Sequence, residues 1–361
     1  MWLVVLKRYF KQTNNSLAGR VARTLLATLV LNCLFGIGFY CAESSVQDGL
    51  SLVDSIWWAM VTMTTVGYGD YFPQTFIGRF FIAYPCFLLG IGLIGYLLGS
   101  LAESFINITA KRRKGQLHIS MQDHILICHC PSVNKLLNMI EELRATPESA
   151  KSGIIVIDDT LEEIPPQFLK NDIQFVSGDP TDEEVLNRAS VRNANGAIIL
   201  AKNPGSADSD NSSFTIGTII EMIEEETGRS IRTIVEVVSP RNQKMFERSA
   251  VDGLIVVEGV SDKMVVQEFL HPGIQKTFGQ LLTNTHGSQF YNCDTTLVGH
   301  TFVELQMAAL HFREDLQIIG LNRNGTPMLN PTKKIKIEAD DQLLVLANSK
   351  AEFERFQLSQ T

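Results

Sequence analysis

The segment Thr64–Asp70, with the sequence TTVGYGD, combines residue types that suit the coordination of a dehydrated cation. A potassium ion without its water shell needs several weakly polar oxygens, and backbone carbonyls from four copies of this segment can form rings of them. Aiming every carbonyl at one axis requires unusual backbone angles, which Gly67 and Gly69 permit because they lack a Cβ. The Thr65 hydroxyl can add a further ring. The segment therefore predicts an ion-selectivity filter made of Thr65, Val66, Gly67, Tyr68 and Gly69.

The elements on either side of this segment are those that a filter needs. The uncharged runs Thr24–Ala42 and Phe80–Leu101 predict helices of about 28 and 33 Å, and each can cross a bilayer. Between them, Ser51–Met63 is too short to cross and has the size of a re-entrant half-helix. The partly negative C-terminal end of such a half-helix would favour a cation near the filter.

Three residues next to the filter are candidates for its support. Trp57 and Trp58 on the half-helix and Asp70 directly after the filter are expected to brace it from behind. Each of them is equally consistent with a place at the outer mouth or at the membrane interface, so both interpretations stay open.

Basic residues at the ends of the two spans predict the orientation of the chain. One group precedes the first span and another follows the second, so the positive-inside rule places both termini in the cytoplasm and predicts a cell (plasma) membrane protein. The members are Lys7, Arg8, Lys11, Arg20, Arg23, Lys111, Arg112, Arg113 and Lys114. Because Met1–Phe10 mixes such charges with aromatic residues, we expect no cleavable signal peptide and a retained first span.

The second span contains Pro85 and several glycines, a density of weak helix formers that predicts bending or close packing. A gating hinge at Gly90 and Gly92 is one interpretation. Tight packing between helices through small residues, such as Gly95 and Gly99, is the other. The sequence alone leaves both open.

After a basic linker, apolar runs alternate with helical patterns from Asp123 onward, which predicts a parallel sheet with helices on both faces. The predicted strands are His124–Cys128, Gly153–Asp158, Ile173–Ser177, Gly196–Leu200, Ile231–Val238 and Leu254–Val257. Shorter strands are predicted at Leu316–Leu321 and Gln342–Leu346. The expected fold class is an α-helical two-span membrane pore domain plus an α/β Rossmann-like regulatory domain with a small α+β C-terminal subdomain.

The acid that closes the second predicted strand, Asp158, is of the type that a Rossmann domain uses to hold an adenosine ribose. The glycine fingerprint is missing, because the loop Cys128–Val133 reads CHCPSV where G-x-G-x-x-G is expected. A nucleotide site therefore depends on Asp158 and the strand pattern. Cys128, His129 and Cys130 lie at a strand end with no second ligand cluster, which favours a packed strand terminus over structural zinc.

The composition of the whole chain limits its function. The 361 residues carry a net charge of −8, which belongs mainly to the soluble part. An acidic balance argues against nucleic acid as the main partner and is compatible with cation binding. The six cysteines form no paired framework, which fits a reducing cytoplasm for the soluble part.

The filter between two spans, the linker and the Asp123–Leu282 unit together resemble prokaryotic two-helix potassium channels with a regulator-of-potassium-conductance (RCK) domain, including multi-ligand-gated members. Gly178–Thr181 and Val191–Ala194 look like further marks of that domain. The resemblance implies a potassium-selective, ligand-gated channel and no enzyme. It also implies a homotetramer through the pore in the lipid bilayer, with RCK domains pairing around Ser261–Leu282 into a gating ring.

The resemblance further implies roles for individual residues. The inner helix would flex at Leu89–Gly92, with Leu97 further toward the inner mouth. Relatives respond to adenine nucleotides, here NAD or ADP/AMP, and to calcium (Ca2+), with K+ as the permeant ion. The expected nucleotide-binding residues are Cys130, Asp158, Asp159, Asp179 and Arg241. For Arg241, whose expected partner is a phosphate, a surface ion pair is the alternative.

The candidate calcium ligands are Asp208, Asp210 and Glu236. Glu236 lies on a segment that resembles the strand supplying a carboxylate in calcium-gated members, but the acidic residue found there two positions later is Val238 here. Asp208 and Asp210 form a D-x-D pair with the oxygen ligands that calcium prefers. The favoured interpretation of the same pair is that it caps the following helix.

Two other functions fit parts of the sequence. A nicotinamide-dependent enzyme would share the dinucleotide fold, but no acid, base or metal constellation of a substrate domain is present and the filter stays unexplained. A membrane-bound nucleotide sensor with a merely structural pore conflicts with the intact filter. The predicted domains are a pore domain at 1–107, a linker at 108–122, an RCK N-lobe with dimerising helices at 123–283 and a C-terminal subdomain at 284–361.

Overall fold

The computed structural model describes residues 17–147, 149–249 and 251–360, and the chain divides into two compact units after Arg113. The basic residues Lys7, Arg8 and Lys11, which contribute to the predicted orientation, lie outside the described residues.

The N-terminal unit consists of two long apolar helices with a short helix between them. Helix α1 spans Leu17–Glu43, α2 spans Leu52–Met63, and a π-helical turn at Gly78–Ala83 continues into α3 at Tyr84–Arg113. By length and composition, α1 and the continuous helix Gly78–Arg113 are each able to cross a membrane. Their apolar side chains are largely exposed in the single chain, as expected for surfaces that meet lipid or other copies.

Helix α2 is the half-helix that the sequence predicts. It begins at the N-cap Ser51, whose side chain accepts the Asp54 N–H while the Asp54 carboxylate accepts the Ser51 N–H, so a capping box fixes its first turn. A Cβ at Gly36 of α1 would lie 2.7 Å from the Ile56 Cα atom. Only a glycine therefore allows α1 to pack this closely against α2.

The C-terminal unit begins with a six-stranded parallel sheet in the order β3-β2-β1-β4-β5-β6. Its strands are β1 (His124–Cys128), β2 (Ile154–Asp158), β3 (Ile173–Ser177), β4 (Ala194–Ile199), β5 (Arg232–Val237) and β6 (Gly253–Val256). The connecting helices are α4 (Val133–Arg144), α5 (Pro166–Lys170), α6 (Glu183–Arg188), α7 (Ser209–Thr227) and α8 (Gln243–Phe246). Short 3-10 turns lie at Val191–Asn193 and Pro240–Asn242.

Apolar side chains on the two faces of this sheet form two separate cores. Leu126 belongs to one core and Ile127 to the other, as expected for neighbouring residues of a strand that is buried on both faces. The strand order reverses between β1 and β4. Ligands of open α/β sheets bind at the carboxyl ends of the strands near such a switch point. A ligand site is therefore expected among the residues that follow β1, β2 and β3.

The rest of the unit contains two helices and a smaller antiparallel sheet in the order β7-β10-β8-β9. The two helices come first and are α9 (Val257–Leu270) and α10 (Ile274–Leu282). They are followed by β7 (Gln289–Asp294), α11 (Phe302–Leu310), β8 (Gln317–Arg323), β9 (Thr326–Leu329), β10 (Gln342–Ala347) and α12 (Lys350–Gln360). Asn324 and Gly325 join β8 to β9 with φ of 51° and 75°, the backbone that a tight hairpin requires.

The fold class is the predicted one, and most predicted strands begin and end within two residues of the observed ones. The main difference concerns α3, which continues to Arg113 and so into the predicted linker 108–122. No strong helix breaker occurs there before Gly115, which has φ of 61°. Basic residues in the last turn of α3 also favour its helical end, because they face the negative end of the helix dipole.

Candidate ion filter and regulatory ligand site

The backbone of the TTVGYGD segment has an alternating conformation. Thr65, Gly67 and Gly69 have φ of 61°, 57° and 79°, whereas Val66 and Tyr68 between them do not have positive φ. In an extended chain successive carbonyls point in opposite directions, and a left-handed backbone at every second residue turns them toward one side. The segment therefore presents a row of carbonyl oxygens, which is the arrangement that replaces the water shell of a potassium ion.

The residues proposed to brace this segment contact it or its surroundings. Trp57 Nε1 donates a hydrogen bond to Asp70 Oδ2 at 2.9 Å, and the Trp57 ring is stacked on Tyr68 with ring centroids 6.0 Å apart. Trp58 is buried and stacks on Phe39 of α1 with a centroid distance of 3.9 Å. Trp57 and Asp70 thus link the half-helix to the end of the filter segment, while Trp58 fixes the half-helix to α1.

The two glycines proposed as a hinge have different surroundings. A Cβ at Gly90 would lie 2.5 Å from the Met63 carbonyl oxygen, whereas a Cβ at Gly92 would meet nothing within 4 Å in the described chain. Gly90 therefore allows α3 to contact the end of the half-helix, directly below the filter segment. Gly92 has no such packing role in the single chain, and a hinge at either residue stays a prediction.

In the C-terminal unit, Asp158 lies buried at the end of β2 with its carboxylate occupied by local donors. Its Oδ2 accepts the Cys130 N–H at 2.7 Å, and its Oδ1 accepts the Thr160 N–H, the Thr160 hydroxyl and the Leu161 N–H. Asp158 thus fastens the loop after β1 to the loop after β2. The carboxylate thus accepts four hydrogen bonds from neutral groups, and none of these donors is a cationic side chain.

Asp159, Asp179 and Lys202 form a charged group beside Asp158. Lys202 Nζ lies 2.6 Å from Asp159 Oδ2, and this hydrogen bond raises the pKa of Lys202. Burial alone would raise the pKa of Asp179, but hydrogen bonds from Thr181 and the nearby Lys202 charge lower it below its ordinary value. Asp179 is therefore ionised at neutral pH.

His129 and Cys130, directly after β1, are buried beside these charges. His129 has φ of 69°, a backbone conformation more usual for glycine. Burial lowers the pKa of His129, so that its imidazole is neutral at pH 7. Burial and the adjacent Asp158 raise the pKa of the Cys130 thiol to about 11, so that it stays protonated.

The loop after β1 differs from the fingerprint loop of a Rossmann domain in which of its donors and acceptors are free. In Rossmann domains with the glycine fingerprint, free backbone N–H groups receive the pyrophosphate and a free carboxylate receives the ribose. Here the Cys130 N–H is donated to Asp158 Oδ2, and Asp158 Oδ1 already accepts three hydrogen bonds. Arg241 follows β5, is exposed, and forms no ion pair with the residues that the structure describes. Nucleotide binding by these residues stays a prediction.

The structure does not bring the three candidate calcium ligands together as a set of free carboxylates. Asp210 is buried and accepts the Val238 and Ser239 N–H groups and the Asn242 side chain, at 2.7, 3.1 and 2.7 Å. Glu236 accepts Lys135 Nζ and the Ala201 N–H. Asp208 is the N-cap residue of α7 and is exposed. Of the three, Asp208 has the least occupied carboxylate, with one long hydrogen bond from the Ser206 hydroxyl at 3.5 Å, and calcium binding here stays a prediction.

Three family models match successive parts of the chain. The first describes an ion channel and matches residues 26–107, which contain both long helices and the carbonyl row. The second describes the RCK domain of slowpoke-like calcium-activated potassium channels and matches residues 120–235. The third, part of the Castor and Pollux voltage-gated ion channels, matches residues 258–360. An ion pathway and an RCK domain thus occur in one polypeptide.

In both of these parts the chain is similar to the family of potassium channels that carry an RCK domain. The calcium-gated potassium channel TvoK of Thermoplasma volcanium is 26% identical over 302 residues, which is 83% of each chain. The putative potassium channel YugO of Bacillus subtilis is 26% identical over 88% of this chain and 93% of its own. The family consists of ion channels, so the RCK domain of this channel regulates an ion pathway and is not an enzyme.

A solved structure supports the fold of the channel's C-terminal unit. The human SLO3 gating ring matches 66% of this chain with a TM-score of 0.50 and 16% identity. This chain spans 46% of the length of that solved chain, so the likeness concerns the fold alone. With two membrane-length helices and RCK homologues, the channel is an oligomeric membrane protein.

Sequence reasoning missed Glu43, at the outer end of α1. Its buried carboxylate accepts the N–H groups of Gln74 and Thr75 at 2.9 and 3.0 Å and the Thr75 hydroxyl at 2.7 Å. It also accepts the Gln47 side chain. Glu43 therefore holds the loop that follows the channel's filter segment. An acidic residue directly after an uncharged run was the available signal, but nothing in the sequence paired it with Thr75.

A second missed contact joins the opposite ends of α1 and α3. The Arg20 guanidinium lies 2.5 Å from the Glu103 carboxylate. Leu97 lies between one and two turns before Glu103 on α3 and is half-buried. The pairing of residues 83 positions apart depends on how the two helices pack, which the sequence does not reveal.

Proposed function

We propose that this protein is the subunit of a homotetrameric, potassium-selective channel in the plasma membrane of a prokaryote, with both termini in the cytoplasm. RCK domains from several chains pair into a ring, and an intracellular ligand bound to this ring controls the pore. The observation that carries the proposal is the alternating left-handed backbone at Thr65, Gly67 and Gly69, directly after a capped half-helix.

Conduction follows from that backbone. Four carbonyl rows around one axis offer a potassium ion successive oxygen rings, and the ion moves between adjacent rings without regaining its water shell. The C-terminal end of α2, which carries partial negative charge, stabilises the cation as it approaches. The Trp57–Asp70 hydrogen bond and the Glu43 contacts hold the segment on both sides.

Gating follows from the continuity of the chain. The helix α3 ends at Arg113 and β1 begins at His124, so a short segment joins the pore helix to the sheet. In the proposed mechanism, ligand binding favours one arrangement of the paired RCK domains, and this segment transmits the change to α3. Bending near Gly90 or Gly92 then alters the width of the pore near Leu97.

The ligand of the ring is the finer part of the proposal, and two classes are distinguished. An adenine nucleotide such as NAD or ADP/AMP suits the switch point between β1 and β4, with Arg241 as its phosphate contact. Arg241 is exposed shortly after β5, so a phosphate can reach its guanidinium. Calcium is the second class, which TvoK suggests by its name, and the exposed Asp208 is its candidate ligand here.

Single-channel recording in planar bilayers separates the two. NAD, ADP and calcium are applied in turn to the cytoplasmic face under a potassium gradient. A nucleotide effect that disappears in Arg241→Gln supports the first class, and a calcium effect that disappears in Asp208→Asn supports the second. Both substituted residues are exposed, so neither variant disturbs a core; Asp158 and Asp210 are unsuitable because they hold loops together. A current that ignores all three ligands contradicts the ligand assignment.

A further inference from the structure

The carboxyl ends of β1 and β2 contain a group of metal-type ligands. His129, Asp158 and Asp159 each direct one donor atom into the same small volume, and the three atoms lie within 4.8 Å of one another. Within residues 17–147, 149–249 and 251–360, no other group of three such side chains is placed in this way. Donor atoms about 2.1 Å from a tetrahedral zinc ion lie about 3.4 Å apart, so small rotations bring these three into range.

The imidazole of His129 distinguishes this group from an ordinary acidic cluster. The residue is fully buried, and neither ring nitrogen has a hydrogen-bond partner among the described residues. Buried polar groups are nearly always paired, so an unpartnered imidazole nitrogen within 4.8 Å of two carboxylate oxygens is suited to bind a further ligand.

The charge of the site favours a divalent cation. The carboxyl groups of Asp158, Asp159 and Asp179 lie close enough to influence the ammonium of Lys202, so three acidic side chains face one basic side chain. Lys202 contacts only Asp159 among them, so the buried charge of Asp158 has no cation in contact. A divalent ion placed between His129 and the two adjacent aspartates would neutralise the group.

The donor atoms select the class of metal. Oδ2 of Asp158 accepts one hydrogen bond and keeps a lone pair, and the imidazole supplies a nitrogen. Calcium and magnesium prefer sites made of oxygens alone, whereas imidazole with carboxylates suits zinc and neighbouring transition metals. The partly exposed side chains of Asp159 and Lys202 provide a route from solvent.

We propose that this edge of the RCK domain binds one divalent transition-metal ion of the zinc class per chain, held by His129, Asp158 and Asp159. The fourth position is open to water. In the metal-free protein the ammonium of Lys202 takes the place of the ion beside Asp159. The site is a property of this domain and does not depend on the ligand proposed to gate the channel.

The test uses full-length protein, purified in detergent and freed of metal with a chelator. Zinc binding is measured by calorimetry, and the absorption spectrum of cobalt reports its ligands. Three variants are compared. His129→Gly removes the ligand, and glycine suits φ of 69°. Lys202→Gln removes the competing cation, and His311→Gln removes an exposed histidine elsewhere as the matched control.

The expected result is one zinc ion per wild-type chain, with calcium unable to compete. His129→Gly weakens zinc binding by at least about 100-fold, since loss of a direct ligand exceeds the usual effect of an indirect one. Lys202→Gln binds zinc about three- to ten-fold more tightly, because an opposing charge is gone. His311→Gln leaves the affinity unchanged.

Stoichiometric binding that persists in His129→Gly would overturn the site, as would the absence of stoichiometric zinc in the wild type. Weaker binding in Lys202→Gln would overturn the role of Lys202 as a competitor. Circular dichroism shows whether His129→Gly is folded. If it is not, Asp159→Asn, altered at a partly exposed residue, repeats the test with the same expected loss.

Discussion

Thr65, Gly67 and Gly69 adopt a backbone conformation that residues with a Cβ take at a cost of about 1–2 kcal/mol each. The segment acts through its main-chain carbonyls. Because their orientation depends on the local pattern of residue types, the segment could be recognised from the sequence. The contacts of Glu43 and the Arg20–Glu103 pair could not be predicted from the sequence, because their partners lie 31 and 83 positions apart. Asp210 shows the same limit, since its D-x-D pattern suited calcium or a cap while its observed partners lie near Val238.

Replacing Gly67 with alanine tests the filter at this scale. The substitution strains the backbone even though no neighbour occupies the added Cβ in the single chain. Four copies of that strain per tetramer should abolish selective potassium current. The reversal potential under opposed potassium and sodium gradients measures selectivity. Gly95→Ala, in a helix with no positive φ and open space for a Cβ, is the control and should keep normal selectivity.

Replacing Glu43 with glutamine tests the outer loop. Glutamine keeps the size but has one acceptor oxygen in place of two and adds donors that face the Gln74 and Thr75 N–H groups. Leaving such buried groups unpaired costs about 1–3 kcal/mol. We expect a lower melting temperature of the detergent-purified protein and currents that decay faster during sustained opening. Asp48→Asn, at an exposed residue nearby, should change neither, and an unaltered Glu43→Gln protein would refute the role.

At the scale of elements, the sheet was predictable and the pore helices only partly so. Strands β1 and β2 are mostly apolar runs of five residues, and burial on both faces makes such runs easy to recognise in a sequence. The ends of α1 and α3 lie beyond the apolar cores of the two spans, because charged residues such as Arg20 and Arg113 continue a helix outside the bilayer. Hydropathy therefore located the spans and not the helix ends.

Alanine at Gly90 and at Gly92 separates packing from bending. At Gly90 the added Cβ would lie 2.5 Å from the Met63 carbonyl, so we expect a displaced half-helix, a less stable protein and impaired conduction. At Gly92 the Cβ meets no described atom within 4 Å, so stability should be kept or improved while a stiffer helix lowers the open probability. Melting curves and single-channel recordings measure the two effects. Equal behaviour of the two variants would contradict this division.

At the scale of the whole molecule, the C-terminal subdomain has its own core and its own buried ion pair. Its core is built from the antiparallel sheet and helices α11 and α12. Two nitrogens of Arg323 donate to the buried carboxylate of Asp341 at 2.8 and 2.6 Å, and this bidentate bond lowers the pKa of Asp341. The pair joins the end of β8 to the residue directly before β10, so it stabilises this subdomain.

Asp341→Asn should destabilise the channel by about 1–3 kcal/mol at pH 7, since it leaves Arg323 partly unpaired. Because the folded pKa of Asp341 lies below its unfolded value of about 3.9, the pair stabilises at higher pH. Its contribution disappears as the pH falls through the folded pKa. Denaturant titrations at pH 7 and pH 3 should therefore show a smaller difference between variant and wild type at pH 3. Glu314→Gln, which breaks the more exposed pair with Arg355, is the control and should have little effect.

The most direct test of the central claim is the reversal potential of current through purified full-length protein in planar bilayers, with potassium on one side and sodium on the other. A carbonyl-lined filter predicts a reversal potential near the potassium equilibrium value. The same current should be lost in Gly67→Ala. A reversal potential near zero, or wild-type selectivity in Gly67→Ala, would contradict the assignment of Thr65–Gly69 as a potassium filter.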